Sequence, residues 1–256
     1  MTKSCIIGWG TVGKATAAAF GIDKYYSRSE SNITLEEASK YRFIFICLPT
    51  PTVNGKCDTS AIEAIVKEIL SYGSTSIFII RSTVYPGFNK FLQSTFGIDR
   101  FVSNPEFLSE DTAMEDAKHP DLVVVGSDNI DHAKSVLAYY AARYKYTNTY
   151  LTDSVTAELI KYSLNSFFAT KVVFANEIYD YAQDVKANYD VIRQVLEKHP
   201  WGSKNHFRIW DKGGRGAGGK CLEKDLEAIV VPSGSVFFQA AYVTNQRLLK
   251  EYPKNG

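Results

Sequence analysis

The chain has 256 residues, room for one large or two modest domains. Its 29 Lys and Arg nearly balance 28 Asp and Glu, for a formal charge of +1, so no broad basic field for nucleic acid is expected. The longest apolar runs, such as Phe43 to Leu48 and Leu122 to Val125, are strand-sized and far short of a membrane span.

Ser4-Cys5-Ile6-Ile7 reads as a short apolar strand that runs straight into Gly8-Trp9-Gly10-Thr11-Val12-Gly13. An alanine-rich helix is predicted to follow over Thr11–Phe20. Strand, glycine turn and helix in that order make the opening of a dinucleotide-binding βαβ unit. Gly8 is expected to make the tight turn, Gly10 to admit a pyrophosphate, and Gly13 to let helix and strand pack. Thr11 and Val12 then open the helix end that faces the phosphates. The next strand, Lys24–Ser27, ends without an obvious acidic ribose ligand, because Asp23 lies too early. Ser27 and Arg28 at its end read either as a receptor for a 2′-phosphate or as a solvated loop, which leaves NAD against NADP open.

Further strands are predicted at Phe43–Cys47, Ser76–Arg81, Phe101–Ser103, Leu122–Val125 and Thr147–Leu151. Helices fit between them at Ser60–Ser71, Phe88–Phe96 and Ile130–Tyr144. Continuous apolar strands alternating with helices imply an α/β domain, a doubly wound parallel sheet covered on both faces, over residues 1–152. The first strand begins so close to Met1 that no signal peptide is expected, and a cytoplasmic location is the default. Cys5, Cys47, Cys57 and Cys221 lack any CxxC spacing, which argues against a metal site or a disulfide framework.

After Asp153 the pattern changes to one long helix, residues 154–185, without glycine or proline. Asp153 and Ser154 are the candidates for its cap. Glu158, Lys161, Asn165 and Phe168 step down one face, either as a functional row or as a solvated stripe. A helix of this length links two halves of a molecule or forms a dimer core, so residues 153–256 are expected to be a small all-α domain. Shorter helices are predicted near Tyr189–Lys198, Leu222–Val230 and Val236–Glu251. The loop between them carries five glycines within Gly213–Gly219 and leads into Lys220-Cys221-Leu222-Glu223-Lys224-Asp225. Glycines let backbone press close to a ligand, and a helix start with neighbouring ammonium groups favours thiolate over thiol. Cys221 is therefore a candidate nucleophile, with a small buried residue as the plain alternative. His206 in the same loop is expected to be exposed and is given no role.

Five ordered strings resemble the UDP-glucose/GDP-mannose dehydrogenase family along nearly the whole chain. They are Cys47-Leu48-Pro49-Thr50-Pro51, Arg81-Ser82-Thr83-Val84-Tyr85-Pro86-Gly87, and Asn104-Pro105-Glu106-Phe107-Leu108-Ser109-Glu110. The others are Ala157-Glu158-Leu159-Ile160-Lys161 with Asn165 and Ala175-Asn176-Glu177-Ile178, and Gly216-Ala217-Gly218-Gly219-Lys220-Cys221 through Asp225. The resemblance implies a Rossmann-like cofactor domain and oxidation of the primary alcohol of a UDP-sugar or other nucleotide sugar to a carboxylate, with two NAD reduced in turn. It makes Cys221 the nucleophile that forms a thiohemiacetal and then a thioester. Lys161 and Asn165 would stabilise negative charge on the sugar oxygen, Asp225 with Thr83 and a water would move protons, and Glu106 would serve thioester hydrolysis. Pro49, Thr50, Thr83 and Glu110 would lie beside the cofactor. Phe107, Leu108, Arg208, Gly216, Gly218 and Gly219 would line the sugar nucleotide.

Departures from the family pattern are Glu223 for a proline and Ala217 for an aromatic. An arginine before the glycine loop has no clear counterpart, with Trp201 near its place and Arg208 a possible substitute. The chain is also expected to be a short form that stops at Gly256, about where the family's UDP-covering domain begins. Three readings follow: a short UDP-sugar dehydrogenase active alone or as a homodimer through the long helix, a two-electron β-hydroxyacid-type dehydrogenase, or a non-catalytic relative that binds cofactor or a partner.

Overall fold

The structure is a computed structural model that describes residues 3–145, 147–200, 202 and 205–254, with Lys220 described by its backbone alone. In chain order the elements begin with β1 (Ser4–Ile7), α1 (Thr11–Phe20), β2 (Tyr25–Tyr26), α2 (Leu35–Ala38), β3 (Phe43–Ile46) and a hairpin of β4 (Thr52–Val53) and β5 (Lys56–Cys57). There follow α3 (Ser60–Ser71), β6 (Ile77–Ile80), α4 (Phe88–Phe96), β7 (Phe101–Ser103), α5 (Ala113–Lys118), β8 (Leu122–Gly126), α6 (Ile130–Ala141) and β9 (Asn148–Thr152). The remainder is helical: α7 (Ser154–Asp184), α8 (Tyr189–Lys198), α9 (Gly219–Ser233) and α10 (Val236–Glu251). Two compact units result, Met1–Pro51 with Cys57–Lys161 and Thr52–Lys56 with Tyr162–Gly256.

The first unit holds a seven-stranded sheet in the order β2-β1-β3-β6-β7-β8-β9. The chain leaves β1 for β2 on one side and returns to β3 on the other. The crevice beyond the strand ends at that reversal is where doubly wound sheets take ligands. Residues on successive strand positions point to opposite faces. Ile6, Phe45, Ile79, Val102 and Val125 therefore pack with α1 and α6. Ile7, Ile46, Phe78, Ile80 and Phe101 pack with α3 and α4 on the other face. The expected continuous apolar strands are buried on both sides for this reason.

Three features depart from the sequence reading. The sheet is not wholly parallel: β7 and β8 pair antiparallel through Ser103 and Gly126, so β8 and β9 run against the rest. The β4–β5 hairpin went unpredicted although Asn54-Gly55 is the usual signal for a two-residue turn, and both residues take positive φ, 52° and 71°. The short helices α2 and α5 were missed too. A Thr34–Glu37 capping box, also present in the sequence, starts α2.

In the second unit the hairpin meets α9, where the Thr52 hydroxyl donates to the Lys224 carbonyl at 2.9 Å. Asn188 caps α8 and Ser235 caps α10. Ala175, Ala182, Tyr189, Phe207 and Ile209 form one small core, and Ala169, Ala217, Leu226 and Ala241 form another. Asp153 caps α7, as expected, accepting from the Thr156 N–H at 2.9 Å. Helix α9 begins at Gly219, three residues earlier than predicted. Among the described residues no helix is long and apolar enough to cross a membrane.

Glu158 is a buried acid of the first unit, at 3 % exposure. It accepts from the N–H groups of Gly87 (2.6 Å) and Asn89 (2.9 Å) and from the Ser103 hydroxyl (3.1 Å). It thus supplies from α7 the cap that Gly87, without a side chain, cannot give to α4. Burial pushes its carboxyl up from the ordinary 4.5 to about 7, against hydrogen bonds that favour the ionised form. The folded state therefore holds this proton more tightly than the unfolded chain, and stability contributed by Glu158 falls as pH rises between those values. We expect the unfolding free energy, measured by urea titration, to drop over this window by on the order of 3 kcal/mol, with Glu158→Gln removing that slope. An unchanged slope in Glu158→Gln would contradict the assignment.

Candidate active site

The cofactor end of the first unit is built around Gly8–Gly13. Gly8 has φ +101°, and a Cβ there would lie 2.4 Å from the Cys47 carbonyl oxygen, so only glycine fits between β1 and β3. A Cβ on Gly13 would lie 1.9 Å from the Gly8 carbonyl oxygen. Gly10 differs: nothing lies within 4 Å of a Cβ built there. It also caps α1 without a side chain, and the first turn carries no acidic residue. The N–H groups of Thr11, Val12 and Gly13 have no intrahelical acceptor and leave that open side electropositive. These residues fit the pyrophosphate of a dinucleotide.

The loops after β3 and β6 are tied together beside this turn. Pro49 is exposed, whereas Thr50 is buried and donates its hydroxyl to the Thr83 carbonyl at 2.5 Å. Ser82 donates to the Leu48 carbonyl at 2.7 Å. Thr83 stays partly exposed, and with Ser82, Ser103, Pro105, Glu158 and Lys161 it lines a cavity of about 10 Å³. That is the room one water needs. Ser27 is partly exposed, and Arg28 and Glu110 are exposed.

Lys161 and Glu106 meet in the same unit. The Lys161 Nζ lies 3.1 Å from Glu106 Oε1, with both side chains under a tenth exposed. The Leu108 N–H donates to Glu106 Oε2 at 2.7 Å, and the Lys161 ammonium stands 5.7 Å from the centre of the Phe107 ring. Sequence reading gave these two residues separate tasks and did not foresee their ion pair. A buried ammonium and carboxylate each need such a partner.

In the second unit Asn165 Nδ2 donates to Asp225 Oδ2 at 2.5 Å, and the Lys224 ammonium contacts Asp225 Oδ1. Asp225 is wholly buried. Cys221 is exposed in the first turn of α9, four residues before Asp225 and so on the same side of that helix. The solvated-stripe alternative for α7 does not hold: Glu158, Lys161 and Asn165 are exposed by 3 %, 4 % and 6 %.

The glycine loop is held by residues without an assigned role from sequence. Arg215 is almost wholly buried, donating to Asn176 Oδ1 at 2.8 Å and to Asp180 Oδ1 at 2.7 Å, with its guanidinium over the Tyr252 ring. Asn245 clasps Ala217 from both ends, accepting its N–H at 2.7 Å and donating to its carbonyl at 2.9 Å. Gly216, with φ +86°, turns its Cα toward Leu248, whereas Gly219 borders open space. A Cβ on Gly218 would come within 3.2 Å of Lys254. Arg208 is exposed. His206 is half-buried, not exposed as expected, and stacks on Phe168 with ring centres 4.6 Å apart. Trp201 and the side chain of Lys220 lie outside the described residues. Among the described residues no cluster of three or more His, Cys, Asp and Glu could hold a metal.

Comparison with known proteins covers both units. Residues 23–144 match the NAD binding domain model, and residues 155–249 the central domain model, of one dehydrogenase family. The UDP-glucose 6-dehydrogenase of Rickettsia bellii is 33% identical over 224 residues, which are 81% of this chain and 50% of that protein. That of Rhizobium meliloti is 34% identical over 208 residues, 77% of this chain and 46% of that protein. The chain thus spans about half the length of the curated relatives it matches. The solved UDP-glucose dehydrogenase of Pyrobaculum islandicum superposes with TM-score 0.82 at 24% identity, covering 98% of this chain and 68% of that one. At that identity the likeness speaks for the fold. The family model indicates NAD as cofactor. The two matched models, with the five motifs and the geometry that carries them, place the chain in the UDP-glucose/GDP-mannose dehydrogenase family.

Proposed function

We propose that this chain oxidises the C6 alcohol of UDP-glucose or a related UDP- or GDP-sugar to the uronic acid through Cys221. The observation that carries the reading is Cys221 exposed in the first turn of α9, one turn from the buried Asp225 that Asn165 and Lys224 hold. When bound, NAD supplies the hydride acceptor. Asp225, with Thr83 and a water, takes the hydroxyl proton as the alcohol becomes an aldehyde. The first turn of α9 favours the Cys221 thiolate, whose sulfur attacks the aldehyde carbon to give a thiohemiacetal. Loss of a second hydride, for which a second NAD would be the acceptor, leaves a thioester, and Glu106 assists water in cleaving the C–S bond, which returns the thiol and the carboxylate. Lys161 and Asn165 donate to the oxygen that carries negative charge along the way. Each has donors beyond the bond described above.

The test is reduced cofactor counted per sugar, with UDP-glucose first and other sugar nucleotides after it. Two reduced cofactors per sugar, lost in Cys221→Ser, is the expected result. One per substrate with Cys221→Ser harmless would favour the two-electron β-hydroxyacid-type reading. Cofactor binding without turnover on any sugar nucleotide would leave a binding protein.

The reading includes a homodimer through residues 154–185. It is supported by Phe167, Phe174 and Tyr181, which recur every seven residues along α7 and are 57 %, 49 % and 65 % exposed. Sedimentation is expected to give a dimer for the wild type and a monomer for Phe174→Glu. A wild-type monomer would contradict this.

A further inference from the structure

We propose that the ribose end of the cofactor site is a 2′-phosphate site formed by Ser27, Arg28 and Ser29, so that this chain accepts NADP at least as well as NAD. The inference rests on the cofactor reading above and concerns which dinucleotide the same site takes. Ile7 pairs with Tyr26, and the Gly8 N–H donates to the Tyr26 carbonyl at 2.8 Å. The chain leaving β2 therefore starts beside the glycine turn, where a dinucleotide fold places the residue that reads the adenosine ribose. That residue falls about 20 positions after the first glycine, which is Arg28 here.

An NAD site puts a carboxylate at this place to accept from the 2′-hydroxyl, and the same carboxylate repels a 2′-phosphate. Between Lys24 and Thr34 the one carboxylate is Glu30. It is engaged elsewhere: its Oε1 accepts from the Tyr25 hydroxyl at 2.8 Å, and the Tyr25 ring lies flat on Trp9 with centres 3.7 Å apart. Arg28 is exposed and forms no ion pair among the described residues. The Ser27 and Ser29 hydroxyls on either side of it stand 3.2 Å apart.

The turn is built before any ligand arrives. The Ser27 N–H donates to the Glu30 carbonyl at 3.1 Å, and the Glu30 N–H to the Ser27 hydroxyl at 3.2 Å. Asn32 fixes its base, accepting from the Tyr25 N–H at 2.9 Å and donating to the Asp23 carbonyl at 2.6 Å. A guanidinium between two hydroxyls presents the donors a phosphate dianion takes, and a fixed turn lowers the ordering cost of using them.

Binding of NADPH and NADH to the full chain, measured by calorimetry without any sugar nucleotide, tests this apart from catalysis. NADPH is expected to bind at least as tightly as NADH. Arg28→Ala is expected to weaken NADPH about tenfold or more while leaving NADH unchanged, the loss of one charge-assisted phosphate contact. Adenosine 2′,5′-bisphosphate should compete better than ADP with the wild type and lose that advantage in Arg28→Ala. Tighter binding of NADH than of NADPH, or an Arg28→Ala change that weakens both alike, would overturn the proposal and leave the cofactor reading standing. Binding of neither dinucleotide would overturn both.

Discussion

Helix α7 sets the terms for the rest of the molecule, because it buries polar side chains that must each find a partner. An uncompensated charge in a protein interior costs several kcal/mol, so every such residue fixes what surrounds it. Glu158 fixes the start of α4 through two backbone N–H groups. Lys161 fixes Glu106 and, through it, the turn at Leu108. Asn165 fixes Asp225, and Asn176 receives Arg215 from the glycine loop. Glu106, Lys161, Asn165 and Asp225, which the proposed chemistry uses, are thus members of the same pairs that order each unit.

Much of this was legible in the sequence where local chemistry decides the outcome. The glycine turn, the apolar strands and the cap at Asp153 follow from backbone sterics, burial and capping, and they stand where the sequence placed them. The five motifs brought Glu106, Lys161, Asn165, Cys221 and Asp225 forward as a set, though not their pairing. Other features are decided by distant partners. Nothing local says that Arg215, an arginine among glycines, is among the most buried side chains, since its partners lie 35 and 39 positions away. Glu158 reads as one polar residue of a helix face, yet its task is to cap another helix. The direction of β8 depends on how the chain crosses from β7, which short apolar strands do not encode. The Asn54-Gly55 hairpin was legible and went unread.

The glycine loop shows how one segment serves two demands. Asn245 and Arg215 clamp Ala217 and the backbone before it, and Gly216 permits the close approach to α10. Gly219 then opens α9 with φ +81° and nothing near its missing side chain. A clamped loop followed by an open helix start presents Cys221 on a rigid base, which positioning of a nucleophile requires.

The central claim is that Cys221 carries the substrate covalently and that Glu106 helps release it. The direct test is intact-protein and peptide mass spectrometry on Glu106→Gln after mixing with cofactor and UDP-glucose, followed by an acid quench. The account predicts a UDP-glucuronyl adduct on the peptide that contains Cys221, convertible to a hydroxamate by hydroxylamine and absent when Cys221 is also replaced by serine. Turnover by the wild type with no adduct in Glu106→Gln, or an adduct on another residue, would contradict it.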